Sequence, residues 1–122
     1  MEEEGVPWEF LYNLGTALVQ RGSSGDAEMA ERCLEQAAEV CRESLMAVGQ
    51  SEAEAADEAS MVLSQLAYAQ ADAGKLATAV ERLKQIVRSR PSDPAVSLIS
   101  TTNLAVLGGY SDSQEAVKRC GY

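Results

Sequence analysis

SMVLSQLAYAQADAGKLATAVERLKQIVRSRPSD, residues 60–93, reads as two helix patterns joined at a glycine and closed by a proline. Counting Ser60 as position 1, Leu63, Leu66 and Ala67 fall at positions 4, 7 and 8. Gly74 falls at 15, Ala79 at 20, Leu83 at 24, Ile86 at 27 and Pro91 at 32. Small side chains at 8 and 20 let two helices approach closely. Gly74 permits the turn between them, because glycine takes positive φ without strain. Pro91 cannot continue a helix. A helix pair of this size cannot bury its apolar face alone and needs a neighbour to stack on.

That spacing is the tetratricopeptide repeat of roughly 34 residues. Upstream, Leu11, Leu14, Gly15, Leu18 and Gly22 occupy positions 4, 7, 8, 11 and 15 of another repeat beginning at Trp8. Ala30, Leu34 and Ala37 match its positions 20, 24 and 27 only if the turn carries three extra residues. Six helices are predicted. Pro7 opens the first, since proline fits a first helical turn. The second starts near Asp26 and runs to about Val48, where Gly49 ends it. Ser51-Glu52-Ala53-Glu54 is a capping box for a third, from about Glu52 to Ala73. The fourth covers about Leu76–Ser89. Asp93 caps and Pro94 opens a fifth, running through Leu107 to Gly108-Gly109. Ser111-Asp112-Ser113-Gln114 caps a short sixth, ending near Lys118. The third repeat is degenerate. No strand pattern is present. The expected fold is all-α: about three helical hairpins stacked as a right-handed α-solenoid, one domain over residues 1–122, cut from a longer array.

Charge is divided along the chain. Residues 1–74 carry three basic groups against fifteen acidic ones, a net of −12; residues 75–122 carry seven against four, a net of +3. An acidic surface repels phosphate, so nucleic-acid binding by this chain alone is not expected. Arg82, Lys84, Arg88 and Arg90 are the candidate basic contact; the plainer reading is a solvated helix face. No apolar run reaches the ~18 residues of a membrane span, and the acidic Met1-Glu2-Glu3-Glu4 is unlike a secretory leader. A soluble, cytoplasmic protein is expected.

Chemistry finds little support. There is no histidine, hence no triad of the usual kind. Cys33 and Cys41 lie about 12 Å apart along one helix, too far for a disulfide. Cys41 belongs to the apolar stripe Leu34, Ala37, Ala38, Cys41, Leu45. No thiolate or carboxylate set is spaced for a metal. No catalytic residue, metal or cofactor is expected, and the chain reads as a binding surface. In this repeat the first helix of each pair lines a groove through positions 2, 5, 9 and 12. The groove residues are then Glu9, Tyr12, Thr16 and Val19, with Met61, Ser64, Tyr68 and Ala71, and Leu98 and Thr102 on the fifth helix. Tyr12 and Tyr68 offer apolar area with a hydroxyl. The lysine–asparagine clamp of chaperone-tail adaptors is not matched, because Tyr12 and Thr16 hold its positions.

Beyond the repeat pattern, Tyr12-Asn13, Ala17-Leu18, Cys41-Arg42-Glu43-Ser44-Leu45, Gln65-Leu66-Ala67-Tyr68 and Pro91-Ser92-Asp93, in that order, resemble the helical repeats of the seventy-two-kilodalton subunit of the signal recognition particle. Asn103 and Leu104 resemble it too, so the likeness spans about residues 8–110. Repeat packing does not demand Arg42 or Ser44, which makes that segment the most specific. The resemblance implies a scaffold in the targeting of ribosomes making secretory proteins to the endoplasmic reticulum. It implies the sixty-eight-kilodalton subunit of the particle as protein partner, with RNA reached only through the whole particle. The alternative is a general repeat adaptor holding an unrelated peptide.

Overall fold

The structure, a computed structural model, describes residues 7–22 and 25–120, with side chains up to Gly109. It is all-helical. Five helices follow in order: α1 (Trp8–Arg21), α2 (Asp26–Ala47), α3 (Glu52–Asp72), α4 (Leu76–Ser89) and α5 (Pro94–Cys120). Each packs on the next, and α3 also touches α1 and α5.

Local chemistry sets most boundaries. The Pro7 carbonyl accepts from the amides of Phe10 and Leu11 at 3.1 and 3.3 Å. Gly22 closes α1 in the left-handed region, at φ 68°. The loosened turn that follows is spanned by a forked ion pair: Arg21 Nε and Nη2 donate to Asp26 Oδ2 and Oδ1 at 2.7 and 3.0 Å. The predicted capping box is present. The amide of Glu54 donates to Ser51 Oγ at 3.1 Å, and the amide of Ser51 donates to Glu54 Oε1 at 3.0 Å. Asp93 Oδ1 accepts from the amide of Ala95 at 2.9 Å, as its capping role requires.

The predicted sixth helix does not exist separately. α5 continues through Gly108-Gly109 to Cys120. Two glycines cost a helix about 2 kcal/mol relative to alanine, but they do not block its hydrogen bonds as proline would. Ahead of them, Leu104 and Leu107 pack on the core and hold the helix in place. The side chains of Ser111 to Gln114, read above as a cap, lie outside the described residues. The third hairpin therefore reduces to its first helix.

Two apolar clusters share α3. One joins Leu11, Leu18 and Val19 of α1 to Ala30, Leu34, Ala37 and Ala38 of α2 and to Val62, Leu66 and Ala69 of α3. The other joins Ala67 of α3 to Ala79, Leu83 and Ile86 of α4 and Val96 of α5. Leu63 packs against both. Closeness rests on small residues. A methyl group on Gly15 would lie 2.6 Å from Leu34 Cγ and 3.3 Å from the Ala30 carbonyl oxygen, inside van der Waals contact. Cys41 is fully buried, and burial raises its thiol pKa above the ordinary value. It serves as a small apolar side chain.

Ala67 and Ala79 are both completely buried in the second cluster. Ala79→Leu is expected to overpack that crossing and cost ~1–3 kcal/mol, read as a lower melting temperature. Ala77→Leu, on the exposed face of the same helix, should change stability by no more than about 0.5 kcal/mol. Equal effects of the two would refute the packed crossing.

Candidate functional site

α3 is buried where it meets α1, α2, α4 and α5, and an accessible stripe runs down one side of it. With 3.6 residues per turn, Glu58, Met61, Gln65, Tyr68 and Asp72 share it. Glu58, Tyr68 and Asp72 are exposed, and Met61 and Gln65 are half-buried. Tyr68 keeps 51% of its surface accessible. The stripe lies beside α1, because Gln65 Nε2 donates to Thr16 Oγ1 at 3.3 Å. On α1, Glu9 is exposed and Tyr12 is half-buried, its ring set edge-on to Trp8 with centroids 6.4 Å apart.

Of the groove residues read from sequence, Thr16 of α1 meets α3 through Gln65, Tyr12 packs against the first apolar cluster and Val19 is buried in it, while on α3 Met61 and Ala71 are half-buried and Tyr68 is exposed. Ser64 does not reach the surface. It is 5% exposed, and its hydroxyl donates to the Met61 carbonyl one turn back. Gln65, one residue on, takes its place on the wall. Spacing alone does not separate the two, since 61, 64 and 68 also share a helix face; the packing around α3 turns 64 inward. Leu98 and Thr102 are exposed on α5. A small cleft of about 110 Å³ opens where Trp8, Met61, Asp57 and Glu58 meet Ser92 and Val96.

The four cations do not form one patch. Arg82 and Lys84 project about 160° apart around α4, given 100° per residue. Lys84, Arg88 and Arg90 are exposed. Arg82 is half-buried and engaged, its Nε donating to Gln70 Oε1 at 3.0 Å. It borders a shallow groove lined by Glu35, Glu39 and Arg42 of α2 over Leu63 and Leu66.

Arg82 belongs to a polar network that sequence reading missed. Gln70, only 2% exposed, donates from Nε2 to Glu31 Oε2 at 3.3 Å. Lys75 Nζ donates to both Glu31 oxygens at 2.9 and 3.1 Å. The chain of contacts fixes the Gln70 amide: its oxygen faces a guanidinium and its nitrogen a carboxylate. It joins α2, α3 and α4. The hydrogen bond and charge of Glu31 raise the Lys75 pKa. Its partners are 12, 39 and 44 residues apart in sequence, so no local pattern announces them.

A second tie holds the start of α5. Asp57 accepts from the amide of Ser92 at 3.0 Å and from its hydroxyl. Both donors favour the ionised form, so the Asp57 pKa is lowered. The acidic extension of α3 is thus partly a structural clip. Among the described residues no three cysteine, aspartate or glutamate side chains gather as metal ligands, and no helix is long and apolar enough to cross a membrane. The chain matches no family model, no curated protein and no solved structure.

Two outcomes check these ties. Glu31→Ala leaves the buried Gln70 amide without its acceptor and is expected to cost about 1–3 kcal/mol in urea denaturation. Lys75→Ala removes a half-exposed cation for which water competes, and should lower stability less than Glu31→Ala does. A larger loss from Lys75→Ala would mean that the ion pair, not the amide, holds the network. At Asp57 a depressed folded pKa means stabilisation that is present above the unfolded value and lost as pH falls through the folded one. In a carboxyl NMR titration, Ser92→Ala should bring the Asp57 midpoint up toward the ordinary ~3.9. An unmoved midpoint would break the assignment.

Proposed function

We propose that the chain is a non-catalytic protein-interaction scaffold whose wall is the accessible face of α1 and α3. The observation that carries this reading is the stripe on α3. It exposes half of Tyr68 one turn from Asp72, on a helix with five acidic residues and no basic one. Aromatic anchors tend to dominate interfaces. The surrounding carboxylates favour a partner segment bearing lysine or arginine, by charge complementarity.

The helices are read as tetratricopeptide-like hairpins stacked in a right-handed solenoid. Support comes from the repeat spacing, the consecutive packing and the contacts of α3 with α1 and α5. The segments Cys41-Arg42-Glu43-Ser44-Leu45 and Gln65-Leu66-Ala67-Tyr68 support placing the scaffold in a cytoplasmic signal recognition particle subunit. The sixty-eight-kilodalton subunit is then the protein partner, and RNA is reached only through the assembled particle. The chain's own acidic first half argues against direct RNA capture.

The test is a pull-down from cytosol with identification of bound proteins, followed by affinity measurements with Tyr68→Ala and Arg88→Ala. Tyr68→Ala is expected to weaken binding at least tenfold, about 1.4 kcal/mol. Arg88→Ala should leave it within about twofold, as exposed charges outside an interface do. Loss through Arg88 alone would move the interface to the α4 face. Capture of an unrelated protein through Tyr68 would keep the wall and replace the particle with a general adaptor role.

A further inference from the structure

Three carboxylates line the small cleft where α1, α3 and α5 meet: Asp57 and Glu58 of α3, and Asp93 at the start of α5. No lysine or arginine lines it. Its apolar walls are the Trp8 ring, Met61 and the buried Val96. Among the described residues the ion pairs are Arg21–Asp26 and Lys75–Glu31, so no cation answers these three carboxylates. The starts of α1 and α5 also border the cleft, and each contributes roughly half a positive charge. Three full negative charges outweigh them. At α5 the Ala95 amide is already taken by Asp93 Oδ1.

The cleft has a fixed width, because the Asp57–Ser92 clip holds the start of α5 against α3. Glu58 and Asp93 stand exposed at its rim. Its volume of about 110 Å³ takes the head of one long side chain, not a stretch of backbone. Of the two cationic heads, a guanidinium matches the lining. It is flat enough to lie against the indole, and its five donors can reach carboxylates supplied by two different helices. An ammonium is a compact, strongly hydrated charge with no flat face to stack. We propose that this cleft receives an arginine side chain from a partner protein segment. Glu58 and Met61 belong both to the cleft and to the accessible stripe of α3. The arginine therefore sits at one end of the proposed wall, with Tyr68 about 10–15 Å along the helix at 1.5 Å per residue. The inference rests on reading that wall as a binding surface and names the side chain it takes.

Trp8 is the chain's single tryptophan, so its fluorescence reports on the cleft. The probe is an acetylated, amidated peptide with one arginine between two pairs of glycines. Control peptides replace the arginine with citrulline, which keeps the shape without the charge, or with lysine. The arginine peptide should change Trp8 emission saturably, with an affinity that falls as salt is raised. The citrulline peptide should give no saturable change, and the lysine peptide should bind at least about threefold more weakly. Glu58→Gln combined with Asp93→Asn removes two charges, and asparagine can still cap α5. That variant should bind the arginine peptide about tenfold more weakly with unchanged helical circular dichroism. A Trp8 signal that does not saturate overturns the proposal, as does a citrulline response equal to that of arginine. A double variant within about twofold of wild type overturns it too, and equal binding of lysine overturns the choice of a guanidinium. The peptide carries no side chain for Tyr68, so its result reads the cleft, whereas the Tyr68→Ala pull-down reads the wall.

Discussion

Everything in this chain is organised by the burial of α3. It touches all four other helices, and a helix can be so surrounded only where its side chains are small. Ala55, Ala59, Ala67 and Ala69 are completely buried, and so is Val62; Ser60 and Ser64 are nearly so. Leu66 is the largest apolar side chain driven fully inward from this helix, and the Gln70 amide is buried with it. Close backbone approach removes water from many short side chains at once. Gly15 does the same for the α1–α2 crossing, where Leu34 occupies the space a methyl group would need. Packing at this density tolerates little added volume, because interiors are as closely filled as organic crystals.

Small side chains bury little apolar area each, so specificity has to come from elsewhere. The Glu31–Gln70 contact with Lys75 and Arg82 provides it between α2, α3 and α4. A buried amide with both ends engaged tolerates no rotation of one helix against another. The Asp57–Ser92 clip acts at an exposed turn, and the Arg21–Asp26 fork joins an exposed guanidinium to a buried carboxylate at another. Their energetic contribution is modest, since water competes for the same groups. Their role is to restrict where α2 and α5 begin.

The same geometry decides what remains for function. The accessible stripe of α3 combines Tyr68 with Asp72 one turn on and Glu58 nearer the start of the helix. On α5, Leu98, Ile99 and Val106 stay open because no further helix packs on them among the described residues. The two surfaces differ in chemistry. One is acidic with an aromatic centre, and the other is uncharged.

Much of this was legible in the residues themselves. Boundaries set by local chemistry were readable: Pro7, the Ser51–Glu54 box, Gly74 and Asp93-Pro94 each act within a few residues of their own position. The small-residue slots at Gly15, Ala67 and Ala79 were readable because a repeat with a fixed period restricts which positions meet. The break expected at Gly108-Gly109 was not made, since glycine weakens a helix without blocking it and the contacts of Leu104 and Leu107 outweigh that weakness. The turn of Ser64 away from the surface depends on where α3 meets its neighbours, and a single helix pattern does not state that. The polar network joins residues up to 44 positions apart, and only the stacked arrangement of three helices brings Glu31, Gln70, Lys75 and Arg82 together. Sequence alone determined where helices start and which faces are apolar, because those depend on neighbouring residues. Tertiary structure decided which polar groups are buried and which apolar faces stay open, because both depend on what the other helices cover.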